Sequence, residues 1–531
     1  MTLSASAVQL SQLSDFVAAR MGLHFPRERW HDLERGITSA AREFGFADTE
    51  SCIQWLLSSP LKSSQIEILA RHLTVGETYF FREKKSFEIL EEHIFPELIR
   101  GRRGGDQRLR IWSAGCCTGE EAYSIAISLS KVISDLKDWN ITILGTDLNP
   151  RSLQKACEGV YSEWSFRGTP QWITERYFKK AKDGRLHLLP SIKKMVIFNY
   201  QNLAGDAYPS LLNNTNAMDV IFCRNVLMYF APEVAKKVGQ NLYRSLVDGG
   251  WLIVSPSETS HGLFSQFITV NFPGATLYKK DAHRPQTAEV PPYEPEDEPN
   301  VSFQPRFGST GESHSEVHPP QPFDLLPSDA EERNGGKPQL TSYGEALTLY
   351  EGGRYGEAAE KLVELSQNRD DSKAMALLAR VYANQGKLTE ALEWCDKAIA
   401  ADKMNAGCHY LRATILQEQG SAEEARASLN RTLYLDQNLV LAHFTLGTLT
   451  LREAKLKESE KHFENALSLL TAYRQEEILP ESEGITAGRL MEIIAVQRKQ
   501  GAGEGRQSLE KNTRSLAPEP RHRESFGKTL A

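Results

Sequence analysis

Between residues 108 and 257 four apolar runs, LRIWSA, ITILGTD, DVIFCRN and GGWLIVSPS, alternate with segments at helical spacing, 120–134, 151–158 and 231–247. Such alternation implies a parallel, doubly wound α/β sheet flanked by helices. A later segment, ATLYKK, suits an edge strand. Ligands of such sheets bind beyond the carboxyl ends of the strands, near the switch point. Three segments of this chain fall there: SAGCCTGEE after the first run, Asp147 closing the second, and CRNVLMYF closing the third, with Arg224, Asn225 and Tyr229 facing one crevice.

The chain has 531 residues, more than one hydrophobic core accommodates. Residues 1–90 carry amphipathic patterns (LSDFVAARMGL, ERWHDLERGITSAAREFG, SCIQWLLSS, SSQIEILARHL) and read as an N-terminal helical domain. The α/β domain takes 91–282, with a small inserted β-hairpin subdomain at about 176–199 around Asp183-Gly184. Residues 283–338 hold eleven of the 24 prolines and no periodic apolar pattern, so they read as a disordered linker. From 339 to 473 small residues recur every 34 positions, at Ala379, Ala413 and Gly447, at Ala391, Ala425 and Ser459, and at Ala398, Thr432 and Ala466. That period implies four helical hairpins of the tetratricopeptide (TPR) type, an all-α solenoid. Residues 474–531 read as a capping helix followed by a disordered tail.

A net charge of −7 argues against nucleic acid or an anionic membrane as the main partner. Seven scattered cysteines with no C-x-x-C spacing indicate neither a disulfide framework nor a metal site, and point to the cytoplasm. No stretch reaches the length of a membrane span, so direct insertion is not expected.

A glycine turn opening a helix ordinarily cradles phosphate. Glu120 and Glu121 oppose that, and the turn carries neither G-x-G-x-x-G nor a P-loop lysine, so its guest is neutral or cationic. Two readings of the acids stand: they cap the helix dipole, or one pairs with a ligand cation while Ala114, Gly115 and Cys116 let the backbone come close. Asp147 is placed to accept from both hydroxyls of a ribose. A ribose acceptor without a phosphate cradle suggests a nucleoside bearing a cation, which describes S-adenosylmethionine.

ETYFFRE (77–83), WSAGCCTGEEAYSIA, GTDLN, YQNL and FCRNVLMYF, in this order, closely resemble the chemotaxis-receptor glutamate methyltransferases of the CheR family over residues 10–282. The resemblance implies S-adenosyl-L-methionine as cofactor and methyl transfer to glutamate side chains on the cytoplasmic helices of chemoreceptors. It implies that Thr78, Arg82, Glu120, Asp147, Asn202, Leu203, Arg224 and Asn225 line the cofactor site, to which the reading of the turn adds Ala114 and Gly115. It also places Tyr229 near the transferred methyl. Arg82 is the candidate for holding the acceptor carboxylate, because a guanidinium offers a planar fork, and Arg82 and Tyr229 are the catalytic candidates. The family's second N-terminal helix is basic, whereas this one mixes Arg27, Arg29, Arg35 and Arg42 with Glu28, Asp32, Glu34 and Glu43. Some members bind a receptor pentapeptide along the inserted hairpin. The short turn KKAKDG leads us to expect no such binding here and a protein or peptide partner for the repeat groove instead. The other readings are a catalytically degenerate repeat scaffold and an O-methyltransferase acting on another substrate.

Overall fold

The computed structural model describes residues 6–58, 61, 63–205, 207–281, 342–368 and 371–498. The linker expected at 283–338 and the tail beyond 498 lie outside the described residues. Four helices open the chain: α1 (Ala7–Met21), α2 (Trp30–Phe44), α3 (Thr49–Ser58) and α4 (Ser63–Leu73). Leu13, Val17, Leu33, Ile37, Ile53 and Leu56 point from these helices into one core. Ser6 caps α1 in a reciprocal capping box with Gln9, and Gly22 ends it at φ 75°.

The strands in chain order are β1 (Arg108–Ala114), β2 (Asn140–Asp147), β3 (Val160–Tyr161), β4 (Phe178–Lys180), β5 (Leu186–Leu188), β6 (Val196–Tyr200), β7 (Met218–Phe222), β8 (Leu246–Ile253), β9 (Ile268–Phe272) and β10 (Ala275–Lys279). The helices among them are α5 (Lys84–Ile89), α6 (Phe95–Arg102), α7 (Glu120–Val132), α8 (Pro150–Glu158), α9 (Gln171–Tyr177), α10 (Pro190–Lys193) and α11 (Pro232–Ser245). Seven strands form the main sheet in the order β6-β2-β1-β7-β8-β10-β9. β6, β2, β1, β7 and β8 are parallel, and β10 and β9 return antiparallel. Every residue of β1 and β7 is buried, which accounts for the apolar IW of the one and VIF of the other and leaves Arg108, Arg110 and Asp219 as buried charges.

The inserted subdomain differs from expectation. Val196–Tyr200 does not belong to it; as β6 it pairs with β2 at the edge of the main sheet, Ile143 opposite Val196 through Asp147 opposite Tyr200. The insert is the three-stranded sheet β3-β5-β4. A short run such as VIFNY has no periodicity that distinguishes an edge strand of one sheet from that of another.

The second half is four helical hairpins: α12 (Ser342–Glu351) with α13 (Tyr355–Asn368), α14 (Ser372–Asn384) with α15 (Leu388–Ala401), α16 (Ala406–Gln419) with α17 (Ala422–Leu435), and α18 (Val440–Arg452) with α19 (Leu456–Leu470). Residues 487–498 form a further helix. The recurrent small residues sit at helix contacts: Ala379, Ala413, Ala391, Ala425, Ala398 and Ala466 are fully buried, and a Cβ on Gly447 would meet the Phe463 ring at 2.6 Å.

This array packs onto the amino-terminal ends of the strands. Glu418, 5% exposed, lies against the buried Arg108 and Arg110 of β1 at 3.2 and 3.5 Å, and its carbonyl accepts from Asn140 Nδ2 at 3.2 Å. Arg110 also donates to Asn214 Oδ1 at 2.6 Å and to the Asn216 carbonyl at 3.1 Å. Burial lowers the Arg110 guanidinium to about 10, which leaves it charged at neutral pH. Glu418→Ala removes one partner from a buried cluster and should destabilise the chain by about 3 kcal/mol, because the guanidiniums stay desolvated without their counter-charge. A urea titration read by tryptophan fluorescence checks this; an unshifted midpoint would show the pair to be dispensable.

Candidate active site

A cleft of about 1040 Å³, counting its open mouth, lies at the carboxyl ends of β1, β2 and β7. Its floor is the turn after β1. Gly115 and Cys116 donate their N–H groups to the Thr146 carbonyl, both at 2.8 Å, so the turn wraps the end of β2. Gly115 has φ 85°, and a Cβ there would come within 2.4 Å of Val226, so only glycine fits. The next peptide carries the chemistry: the Cys117 N–H donates to Asp147 Oδ2 at 2.8 Å while the Asn149 N–H donates to Oδ1 at 2.8 Å. Asp147 is thereby held at the cleft wall with acceptor capacity remaining on both oxygens. Burial raises its carboxyl above the ordinary range, opposed by those amide bonds.

The first turn of α7 separates the paired acids. Glu121 lines the cleft, accepting from Ser113 Oγ at 2.7 Å and pairing with Arg224 at 3.1 Å. Burial raises this carboxyl too, and Arg224 opposes the rise. Glu120, expected to line the site, does not; it is buried against Thr118 Oγ1 at 2.6 Å and Ser165 Oγ at 3.1 Å. Adjacent residues on a helix point about 100° apart, so one carboxylate reaches the cleft and the other the inserted subdomain. Ala114, also expected there, sits within the core behind the cleft and does not line it.

The remaining expected residues are brought together: Thr78, Arg82, Gly115, Asp147, Asn202, Leu203, Arg224, Asn225 and Tyr229 all line the cleft. Asn202 Nδ2 donates to the Arg20 carbonyl at 3.2 Å, which ties the wall to α1. Arg224 is almost fully buried and makes three contacts to two segments, Glu83 at 2.9 Å and the Arg82 carbonyl at 2.5 Å on one and Glu121 at 3.1 Å on the other. Arg82 itself donates to the Glu77 carbonyl at 2.8 Å and lies 5.9 Å from the Tyr79 ring centre, with no ion pair among the described residues. The Tyr229 ring is half-buried beside the Arg29 guanidinium, and its carbonyl accepts from the His24 N–H at 2.8 Å, so the N-terminal helices close one side.

Glu258, which the sequence reading did not single out, organises the loop after β7. Its carboxylate accepts the N–H groups of Asn225 at 2.6 Å, Val226 at 2.7 Å and Met228 at 3.3 Å, together with Ser255 Oγ at 2.7 Å. This holds Asn225 at φ 57°. The signal was present: Ser255-Pro-Ser-Glu258 is a capping-box pattern. Gln201 lines the cleft as well, and its Nε2 is buried without a hydrogen-bond partner among the described residues.

These features fit S-adenosylmethionine. A carboxylate receives hydroxyl donors, a glycine floor admits close approach, buried amide and guanidine nitrogens have donors to spare, and Leu23, Leu73, Leu148 and Phe230 form apolar walls.

The family described as CheR methyltransferase, SAM binding domain, matches residues 76–274, and the family described as anaphase-promoting complex, cyclosome, subunit 3 matches 357–432. Chemotaxis protein methyltransferase 2 of Vibrio cholerae is 36% identical over 41% of this chain and 73% of its own length. The chemotaxis protein methyltransferase of Borreliella burgdorferi is 30% identical over 48% of this chain and 89% of its own. Chemotaxis protein methyltransferase 1 of Pseudomonas aeruginosa is 34% identical over 40% and 77%.

Asp147→Ala should weaken S-adenosylmethionine binding by about 1.5–3 kcal/mol, the scale of charge-assisted hydrogen bonds. Calorimetry measures it. Because burial raises the Asp147 carboxyl, it protonates at a higher pH than a free aspartate and then accepts only as a neutral group. Affinity should therefore decline as pH falls toward that raised range, and Asp147→Asn should flatten the decline. Glu258→Gln keeps the volume but turns amide hydrogens toward amide donors. It should weaken cofactor binding and lower stability by roughly 2 kcal/mol, read by calorimetry and thermal melting.

Proposed function

The chain belongs to the CheR family of chemotaxis methyltransferases, and we propose that it forms methyl esters on glutamate side chains of chemoreceptors. S-adenosylmethionine supplies the methyl group from a sulfonium centre. A glutamate carboxylate, with a reference pKa of about 4.3, is already ionised at neutral pH, so the protein has no proton to remove. Its work is positioning, which can lower a barrier by about 7–11 kcal/mol when reacting atoms are held in line at near-attack distance.

The observation that carries this reading is the division of labour between two arginines. Arg224 has its charge met by Glu83 and Glu121 and serves the architecture, with only its Nε left without a partner among the described residues. Arg82 lines the same cleft as Asp147 and keeps its fork free of carboxylates among the described residues. In our reading Arg82 receives the acceptor carboxylate and Tyr229 orients it, while Asp147, Gly115, Thr78, Asn202, Leu203 and Asn225 hold the cofactor.

The receptor surface is addressed differently from a basic helix. On α2 Asp32 pairs with Arg29 and Arg35, and Glu43 pairs with Arg71 and His72, so much of its charge is spent internally. The turn between β4 and β5 is closed tightly, Ala181 to Arg185 at 2.8 Å, in keeping with no pentapeptide tether there. We assign recruitment to receptor clusters to the repeat array. No helix among the described residues is long and apolar enough to cross a membrane.

Purified protein incubated with labelled S-adenosylmethionine and receptor-bearing membranes should yield label that mild alkali releases as methanol. Alkali-stable label would replace the carboxyl acceptor with another group. Arg82→Lys should retain cofactor affinity and the fold but lower turnover at least tenfold, since an ammonium does not reproduce the bidentate fork. Parental turnover would remove Arg82 from this role.

A further inference from the structure

After α19 the chain turns back as a tight hairpin. Leu479 donates to the Ile485 carbonyl at 2.9 Å, Ala487 to Glu477 at 2.9 Å and Gly488 to Gln475 at 2.9 Å. Its tip is Glu481-Ser482-Glu483-Gly484, closed by the Ser482 hydroxyl on Ile485. Both glutamates stand in the left-handed region, φ 61° and 56°, a conformation that side-chain-bearing residues rarely hold without support.

The support comes from the first helices of the hairpins. Arg380 of α14 pairs with Glu481 and, at 3.2 Å, with Glu483. The Tyr350 hydroxyl of α12 donates to Glu483 Oε1 at 3.4 Å. On α16, Gly407 leaves the space that Glu481 fills, since a Cβ there would lie 2.6 Å from its carboxylate. Leu479 and Ile485 pack with Tyr410, Val440 and Phe444, from α16 and α18. The hairpin thus lies across all four first helices, as a bound peptide would, its tip against α12, α14 and α16 and its flanks against α18, and its carboxylates converge on one guanidinium. Asn384 borders the same pocket; it is 1% exposed, donates to the Tyr350 hydroxyl at 3.1 Å, and its Oδ1 has no partner among the described residues.

We propose that this groove is a recognition site for an acidic peptide carrying two carboxylates two residues apart, and that Glu481 and Glu483 occupy it in cis until such a partner displaces them. The proposal rests on the array's recruiting role and names the chemistry of its partner. Displacement has a structural consequence, because Glu483 Oε2 also accepts the Leu211 N–H of the α/β half at 3.0 Å and Arg489 donates to the Tyr200 carbonyl at 3.1 Å. Tyr200 adjoins Gln201, Asn202 and Leu203 at the cofactor cleft. The acidic tip and Arg489 in the helix after it therefore join the groove to Leu211 and to Tyr200, beside the wall of the active site.

The probe is a fluorescent peptide of the chain's own sequence, QEEILPESEGITAG, with a control in which the Glu481 and Glu483 positions are glutamine. Fluorescence anisotropy against full-length protein should show at least tenfold tighter binding to the E481Q/E483Q variant than to the parent. Adding Arg380→Gln, or using the glutamine peptide, should abolish the gain; circular dichroism verifies that each variant is folded. Equal affinity for parent and double variant, or a gain indifferent to Arg380, would overturn the proposal. In the unaltered chain, saturating acidic peptide should raise amide exchange across 475–488 at least fivefold, and unchanged exchange would overturn it too. Alkali-labile receptor methylation that persists alongside either negative result would leave the proposed reaction standing and remove only this site.

Discussion

Arg224 is the constraint on which the active site depends. A guanidinium that is almost wholly buried at the end of β7 must be neutralised, and its two carboxylates come from the segment before β1 and from the first turn of α7. A third bond, to the Arg82 carbonyl, fixes the backbone from which the Arg82 side chain projects. Loss of either acid would leave a desolvated charge, a penalty of several kcal/mol, so these three segments are locked to one another. With Glu83 and Glu121 engaged by Arg224, the Arg82 side chain lines the cleft without an ion pair among the described residues.

A second carboxylate performs the same service for backbone groups. Glu258 takes the amides of Asn225, Val226 and Met228 and so holds Asn225 in a conformation that an unsupported loop would leave. The two buried networks divide the task, with Arg224 aligning side chains and Glu258 the peptide wall. Rigid supports of this kind are what a site that acts by positioning requires.

The repeat array is attached at the opposite ends of the strands from the cleft. Glu418 meets Arg108 and Arg110 where β1 begins, and the cofactor floor lies where β1 ends. Seven residues of strand separate the two, about 23 Å at a strand's rise. The array therefore leaves the mouth of the cleft clear, while the hairpin tip and Arg489 reach round the β6 edge to the segment behind Asn202 and Leu203.

Periodicity alone determined that a parallel sheet and a 34-residue helical repeat would form, because burial on two faces and close helix contact impose patterns that any reader can count. The turn after β1, Asp147 and the CRN segment were legible for a related reason: parallel strands deliver their carboxyl ends to one crevice. Which of two adjacent glutamates faces that crevice was not legible, since it depends on the rotation at which α7 packs, and Arg224 settled it for Glu121. VIFNY was assigned to the wrong sheet because a five-residue strand takes its place from its neighbour β2 rather than from its own pattern. Glu258, Glu418 and the Glu481–Glu483 tip act on residues 30 to 310 positions away. Such pairings are created by desolvation, which makes a buried charge find whichever partner the fold brings near, and only the tertiary structure decides which that is.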